Sequence, residues 1–186
     1  MFAEKQRGIR GLVRLQCNGM KLEEIVAEAS KLSEEEYTKM NRRITLRPTT
    51  EADGAFAYRV RETTMRDYEV ATWGAWNADE AREQIDNDIR GSRSTIVEMD
   101  DQPVGLLRVD ELSTHIHLDQ LFILPEHQRK GVGHQILVQI LERAKTVGLP
   151  LRLWVLRVNP ATKFYERLGF KVIEQTPASL HLEHAA

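Results

Sequence analysis

The chain has one cysteine, Cys17, in 186 residues. A lone thiol can form no internal disulfide and excludes a zinc site built from cysteine pairs, which fits a reducing, cytoplasmic setting. Aromatic residues are few, at 6%, and neither sign of charge has a surplus: 26 Lys and Arg against 28 Asp and Glu leave −2. That balance gives no whole-chain signature for nucleic acid or an anionic membrane. No apolar run approaches the roughly 18 residues of a membrane-spanning helix. Glu4, Lys5, Arg7, Arg10 and Arg14 stand where a signal peptide needs an apolar stretch, so no secretory leader is expected. What is present is ordinary for a globular protein: 41% apolar and 29% charged residues, with 11 Gly and 6 Pro. The length suits one domain with a short appendage.

The first 43 residues hold nine basic and seven acidic side chains, leaving 17 and 21 for residues 44–186. Leu22, Ile25, Val26, Ala29 and Leu32 repeat at helical spacing, and Ser33 with Glu36 forms a capping box. This predicts a helical hairpin after a loose basic segment, packed on its own domain or on a partner copy in a homodimer. From Ile44 the texture changes. Ile44–Arg47 alternates like a strand and stops at Pro48; Thr50 caps a helix to about Glu69, and Asn77 with Glu80 caps another. Strand patterns come next at 94–98, 104–109 and 116–124, then a periodic helix from Gly131 to Val147 ended by Gly148. A strand at 151–158, a short helix at 160–168 and two closing strands complete the order βααβββαβαββ. This is an α/β (α+β) pattern with one strand–helix–strand crossover.

Gln128-Arg129-Lys130-Gly131-Val132-Gly133-His134 lies between an apolar strand and an amphipathic helix. A helix start leaves backbone N–H groups unpaired and carries partial positive charge, so glycines at 131 and 133 let a pyrophosphate approach. The bland alternative is a tight turn with two surface cations. There is no GxxxxGK[ST], and Ile136 stands where a dinucleotide fingerprint wants its third glycine.

A second motif comes after the next strand: Asn159-Pro160-Ala161-Thr162-Lys163-Phe164-Tyr165-Glu166-Arg167-Leu168-Gly169-Phe170. With Leu121 through Gly133 it closely resembles the GCN5-related N-acetyltransferase (GNAT) superfamily, over roughly residues 44–184. The resemblance implies a mixed, mostly antiparallel seven-stranded sheet in which two central parallel strands splay apart, flanked by helices, with acetyl-CoA in the cleft. It implies pyrophosphate on the amides from Gln128 and Arg129 through Lys130, Gly131, Val132 and Gly133 to His134. It implies pantetheine pairing with the backbone of Phe122, Ile123 and Leu124, a hydrogen bond from Asn159, and Tyr165 as the general acid beside the thioester sulfur. The acetyl group would pass to a primary amine by direct attack in a ternary complex.

The residues themselves add to this reading. His115, His117 and Asp119 share one face of their strand; after Gln120 the alternation fails, as Leu121, Phe122, Ile123 and Leu124 are all apolar. Either an extra residue near Asp119 to Leu121 makes a β-bulge, or the strand simply passes into a buried stretch. Attack by an amine needs a base. Some relatives carry a Glu five residues before the Asn, a position held here by Trp154, which leaves Asp119 or His117. His115-x-His117 lacks a carboxylate or cysteine at ligand spacing, so no metal is expected. No GxSxG elbow supports an acyl-serine. The acceptor side is expected around Arg61–Tyr68 and Thr72–Trp76, where Trp73 and Trp76 either stack on an acceptor or anchor the helix pair. Two rivals remain: an acyl-CoA-binding module without catalysis, and a partner- or nucleic-acid-binding protein acting through residues 1–43.

Overall fold

The computed structural model describes residues 43–186. The hairpin expected over 22–43, all but its last residue, and Cys17 lie outside the described residues. The eleven-element order βααβββαβαββ is recovered: β1 Ile44–Pro48, α1 Gly54–Trp73, α2 Ala78–Arg90, β2 Ser94–Met99, β3 Gln102–Glu111, β4 Ile116–Ile123, α3 Val132–Val147, β5 Leu151–Leu156, α4 Thr162–Arg167, β6 Lys171–Gln175 and β7 Ser179–His184.

Local chemistry sets most of the boundaries. The Thr50 N–H and hydroxyl both donate to an Asp53 carboxylate oxygen at 2.8 Å, fixing the turn that leads into α1. That helix runs four residues past the expected end, because only at Gly74 (φ 83°) does the chain turn left-handed. Asn77 Oδ1 accepts from the Glu80 N–H at 3.1 Å and caps α2. Asp100 and Asp101 both sit at positive φ (54° and 64°), the pairing a two-residue hairpin between β2 and β3 requires. Gly148 (φ 67°) closes α3, where the Leu149 N–H reaches back to Ala144 O at 3.1 Å.

The seven strands form one sheet in the order β1-β2-β3-β4-β5-β7-β6. Every neighbouring pair is antiparallel except β4 and β5, which α3 connects as a crossover. Successive strand residues point to opposite faces. Thus Ile96 and Leu106 join Ala57, Val60, Ile85 and Ile89 in the core under α1 and α2. Val97 and Leu107 join Ile136, Leu137, Ile140 and Leu153 in a larger core under α3.

The parallel pair is short. Ile116, His117 and Leu118 face Leu151, Arg152 and Leu153, and beyond that rung β4 and β5 are no longer paired. Both strands continue, to Ile123 and Leu156, so the sheet opens into a V at its centre.

Candidate active site at the strand split

One wall of the V is β4, and its pleat resets inside the split. Arg108 pairs with Gln120, yet Val109 pairs with Leu118, leaving Asp119 as an extra residue in the ladder. Ile116 and Leu118 bury in the α3 core, while Gln120 is buried on the opposite face, where its Nε2 donates to Asp88 of α2 at 3.1 Å. Asp119 also faces that side, 3.3 Å from Arg108 Nη1. Two consecutive residues on one face identify a bulge, the first of the two sequence readings. A bulge removes a residue from the ladder and frees its backbone for a ligand.

Around the bulge sits a polar network that sequence reading missed. Asp88 is 1% exposed and is met by Arg108 Nη1 at 3.0 Å and Arg93 at 3.4 Å. Arg108 Nη2 also reaches Asp110 at 2.9 Å. Burial opposes the Arg108 charge, but the carboxylates of Asp119, Asp88 and Asp110 together outweigh it and hold its pKa above the ordinary value. His117, half-buried on the same face, has Nε2 3.9 Å from Asp119. Desolvation lowers its pKa, and the nearby carboxylates of Asp119 and Asp110 only partly oppose the shift, so the imidazole is neutral at pH 7. Asp88 on α2 thus meets Arg108 on β3 and Gln120 on β4 from 20 and 32 residues away in the chain. Their only trace in the sequence is a polar residue at apolar spacing: Asp88 beside Ile85 and Ile89, and Gln120 between Leu118 and Phe122.

At the open end of β4 the chain makes the turn expected of a phosphate site. Pro125–His127 form a 3-10 turn, and the Gln128 side chain donates to Ile123 O at 2.8 Å, tying the loop to the strand. Arg129 and Gly131 adopt left-handed φ of 56° and 86°. The first intrahelical donor is the Gln135 N–H, to Gly131 O at 3.0 Å. The amides of Val132, Gly133 and His134 therefore lie in an opening turn with no carbonyl of the helix to receive them. A Cβ at Gly131 would stand in open space, and one at Gly133 would meet only Phe164 at 3.8 Å. Gly131 is needed for its φ. Gly133 answers no internal crowding, and its missing side chain leaves the helix start accessible. Phe122, Ile123 and Leu124 form the end of β4 running into this turn.

The second wall is β5, together with the turn and helix α4 that succeed it. Tyr165 of α4 is buried between Phe164 (5.2 Å) and Phe170 (5.6 Å), edge to face with both. Burial pushes its pKa up to about 12, so the phenol stays protonated at working pH. Asn159 spends Oδ1 on the Ala161 N–H at 2.9 Å, capping the turn into α4 and moving that helix's start from Pro160 to Thr162. Its Nδ2 makes no hydrogen bond among the described residues. Trp154 is 45% exposed on β5 and stacks on His181 at 4.1 Å and 13°.

On the helical side, Trp73 is 60% exposed at the end of α1, whereas Trp76 is half-buried beneath Arg61 (5.9 Å). Its Nε1 and the Arg61 Nε are buried without partners, although Arg61 Nη2 reaches Glu69 at 3.2 Å. Trp76 thus packs on the helix pair, whereas Trp73 is not an anchor of it.

Residues 61–185 match the family model described as Acetyltransferase (GNAT) domain. The uncharacterized N-acetyltransferase CgeE of Bacillus subtilis (strain 168) is 32% identical over 78 residues, 41% of this chain. The match spans 30% of that relative's length. PaiA N-acetyltransferase of Thermoplasma acidophilum, solved in complex with coenzyme A, superposes with a TM-score of 0.62 at 18% identity, covering 77% of this chain and 99% of that one. An acetyltransferase of Thermus thermophilus gives 0.62 at 20% identity, over 77% and 97%. At such identities these two likenesses speak to the fold. With the family model covering more than half of the chain, and with the split sheet described above, the protein belongs to the GNAT acetyltransferase family.

Proposed function

We propose that residues 44–186 form an acetyl-CoA-dependent N-acetyltransferase acting on a primary amine, with residues 1–43 as an appendage, in a reducing cytoplasm. The observation that carries this reading is the Asp119 bulge at the point where β4 and β5 part, one strand-length from a helix start kept open by Gly131 and Gly133. That arrangement fits the donor: a cradle for phosphates at one end of a strand and a freed amide at the other.

Bound acetyl-CoA supplies an acetyl group as a thioester, whose C–S bond breaks as the acceptor's C–N bond forms. The amides of residues 129–134, with Arg129 and Lys130, hold the pyrophosphate. The backbone of Phe122 to Leu124 and Asn159 Nδ2 orient the arm. The amide freed at Asp119 donates to the acyl oxygen as negative charge builds there, a contribution of about 3 kcal/mol when well aimed. An alkylamine with a pKa near 10 arrives as a cation, and its proton must leave before attack. His117 is the base that takes it: neutral at pH 7, with Asp119 3.9 Å away to stabilise the imidazolium that results. Tyr165 gives its proton to the departing sulfur and regains one from the former amine nitrogen, which sheds its second proton as it becomes the amide. These groups stand in for the strand Glu that Trp154 replaces, which favours catalysis over the module without turnover.

The experiment is CoA release from acetyl-CoA by the purified chain across a panel of primary amines. Turnover with any of them supports the reading. Saturable acetyl-CoA binding with no release for every amine favours the binding module.

A further inference from the structure

Trp154 occupies a defined place in the split. The last rung of the parallel pair is Leu118 opposite Leu153, so the next residues, Asp119 and Trp154, flank the mouth of the V on the face away from α3. From Trp154 the row continues across the sheet: Trp154 pairs with His181 on β7, and His181 pairs with Glu174 on β6. The row therefore reads carboxylate, indole, imidazole, carboxylate. The imidazole is stacked against one face of Trp154 (4.1 Å, 13°), and both its ring nitrogens are buried and lack hydrogen bonds. His181 thus acts as a backing that fixes the indole. Its outer face remains open, with the residue 45% exposed.

The charges around this face do not cancel. Arg152 is matched by Glu183 at 2.7 Å, and Arg108 is shared among Asp88, Asp110 and Asp119. Glu174 is largely exposed and is met by the His181 ring at 3.7 Å. A rigid, solvent-facing indole between Asp119, whose Arg108 is shared with two further carboxylates, and the exposed Glu174, met only by the His181 ring, is suited to a cation, which is drawn to the negative face of an aromatic ring. Neighbouring strands lie about 4.8 Å apart, so Glu174 is about 10 Å beyond Trp154 along the row.

Resting on the transferase reading above, we propose that Trp154 is the platform for the acceptor, and that the acceptor is an elongated primary amine carrying a second cationic group. Its reacting amine lies at His117 and Asp119, and its distal cation lies over Trp154 toward Glu174.

The test compares kcat/KM for three amines on the full chain: agmatine (distal cation), pentylamine (neutral tail) and 5-aminopentanoate (distal anion). The wild type is expected to prefer them in that order. Trp154→Leu, at a half-exposed site where the fold tolerates it, is expected to lower the agmatine-to-pentylamine ratio about tenfold, with the KM for acetyl-CoA unchanged. Trp154→Phe should retain part of the preference, and Glu174→Gln should lower it severalfold. An unchanged ratio in Trp154→Leu, or a wild type that prefers pentylamine or the anionic amine, overturns the proposal. If the wild type turns over none of the three, the wider amine panel decides the transferase reading separately, and calorimetric binding of agmatine decides this point. About tenfold tighter binding to wild type than to Trp154→Leu supports the platform, and equal binding overturns it.

Discussion

Arg108 is the residue on which the site's geometry most depends. Its guanidinium bridges a 1%-exposed Asp88 on α2 and the bulge residue Asp119 on β4. Replacing it with leucine leaves Asp88 buried with the Gln120 amide and, as counter-ion, only the more distant Arg93, and should cost about 3–5 kcal/mol in denaturant unfolding. The double variant with Asp88→Leu should recover much of that loss. At His117 the lowered pKa fixes a sign. A base must be unprotonated, so kcat/KM should rise with pH on a limb lying below the usual 6.5, and the limb should vanish in His117→Gln. The same shift acts on stability: the unfolded chain binds the proton more readily, so the His117 contribution is present above 6.5 and lost as pH falls. Tyr165→Phe keeps the ring packed between Phe164 and Phe170 and removes only the hydroxyl. It should lower kcat about a hundredfold with the KM for acetyl-CoA unchanged.

At the scale of elements, the turn between β4 and α3 separates two glycines by consequence. Gly131→Ala forces a Cβ into φ 86° and should cost about 1–2 kcal/mol of stability. Gly133→Asp meets only Phe164 and places an acid in a helix's first turn, where it favours the fold. Melting should therefore hold or rise slightly, while acetyl-CoA affinity falls at least tenfold through repulsion of the phosphates. Element order was readable from periodicity and caps, since Asn77, Gly148 and the Asp100-Asp101 turn each act through neighbours in sequence. Element ends were less readable: α1 continues to Gly74, and Asn159 diverts the chain so that α4 starts at Thr162. The bulge was half visible. Broken alternation after Gln120 allowed two readings, and the register against β3 distinguishes them, with Asp119 left over between the Gln120 and Leu118 rungs and Gln120 held by Asp88, 32 residues away. Buried polar networks such as this one are formed by tertiary partners and leave no local period.

For the whole molecule, near-neutral charge concealed local order. Residues 44–186 carry 17 basic and 21 acidic side chains. Arg129 and Lys130 nevertheless sit at the phosphate turn, and carboxylates gather on the face of the V occupied by His117, Asp119 and Trp154. The two halves of the proposed reaction thus meet oppositely charged surfaces: an anionic donor at the turn and a cationic acceptor on the sheet. The claim that joins them is acetyl transfer at the Asp119 bulge. It is tested most directly by following CoA release from acetyl-CoA by the full chain with a cationic primary amine, in wild type and His117→Gln. The expected result is saturable release in the wild type that falls at least a hundredfold in the variant at pH 7 while acetyl-CoA still binds. Binding of acetyl-CoA with no release in the wild type, or equal release by both proteins, would contradict it.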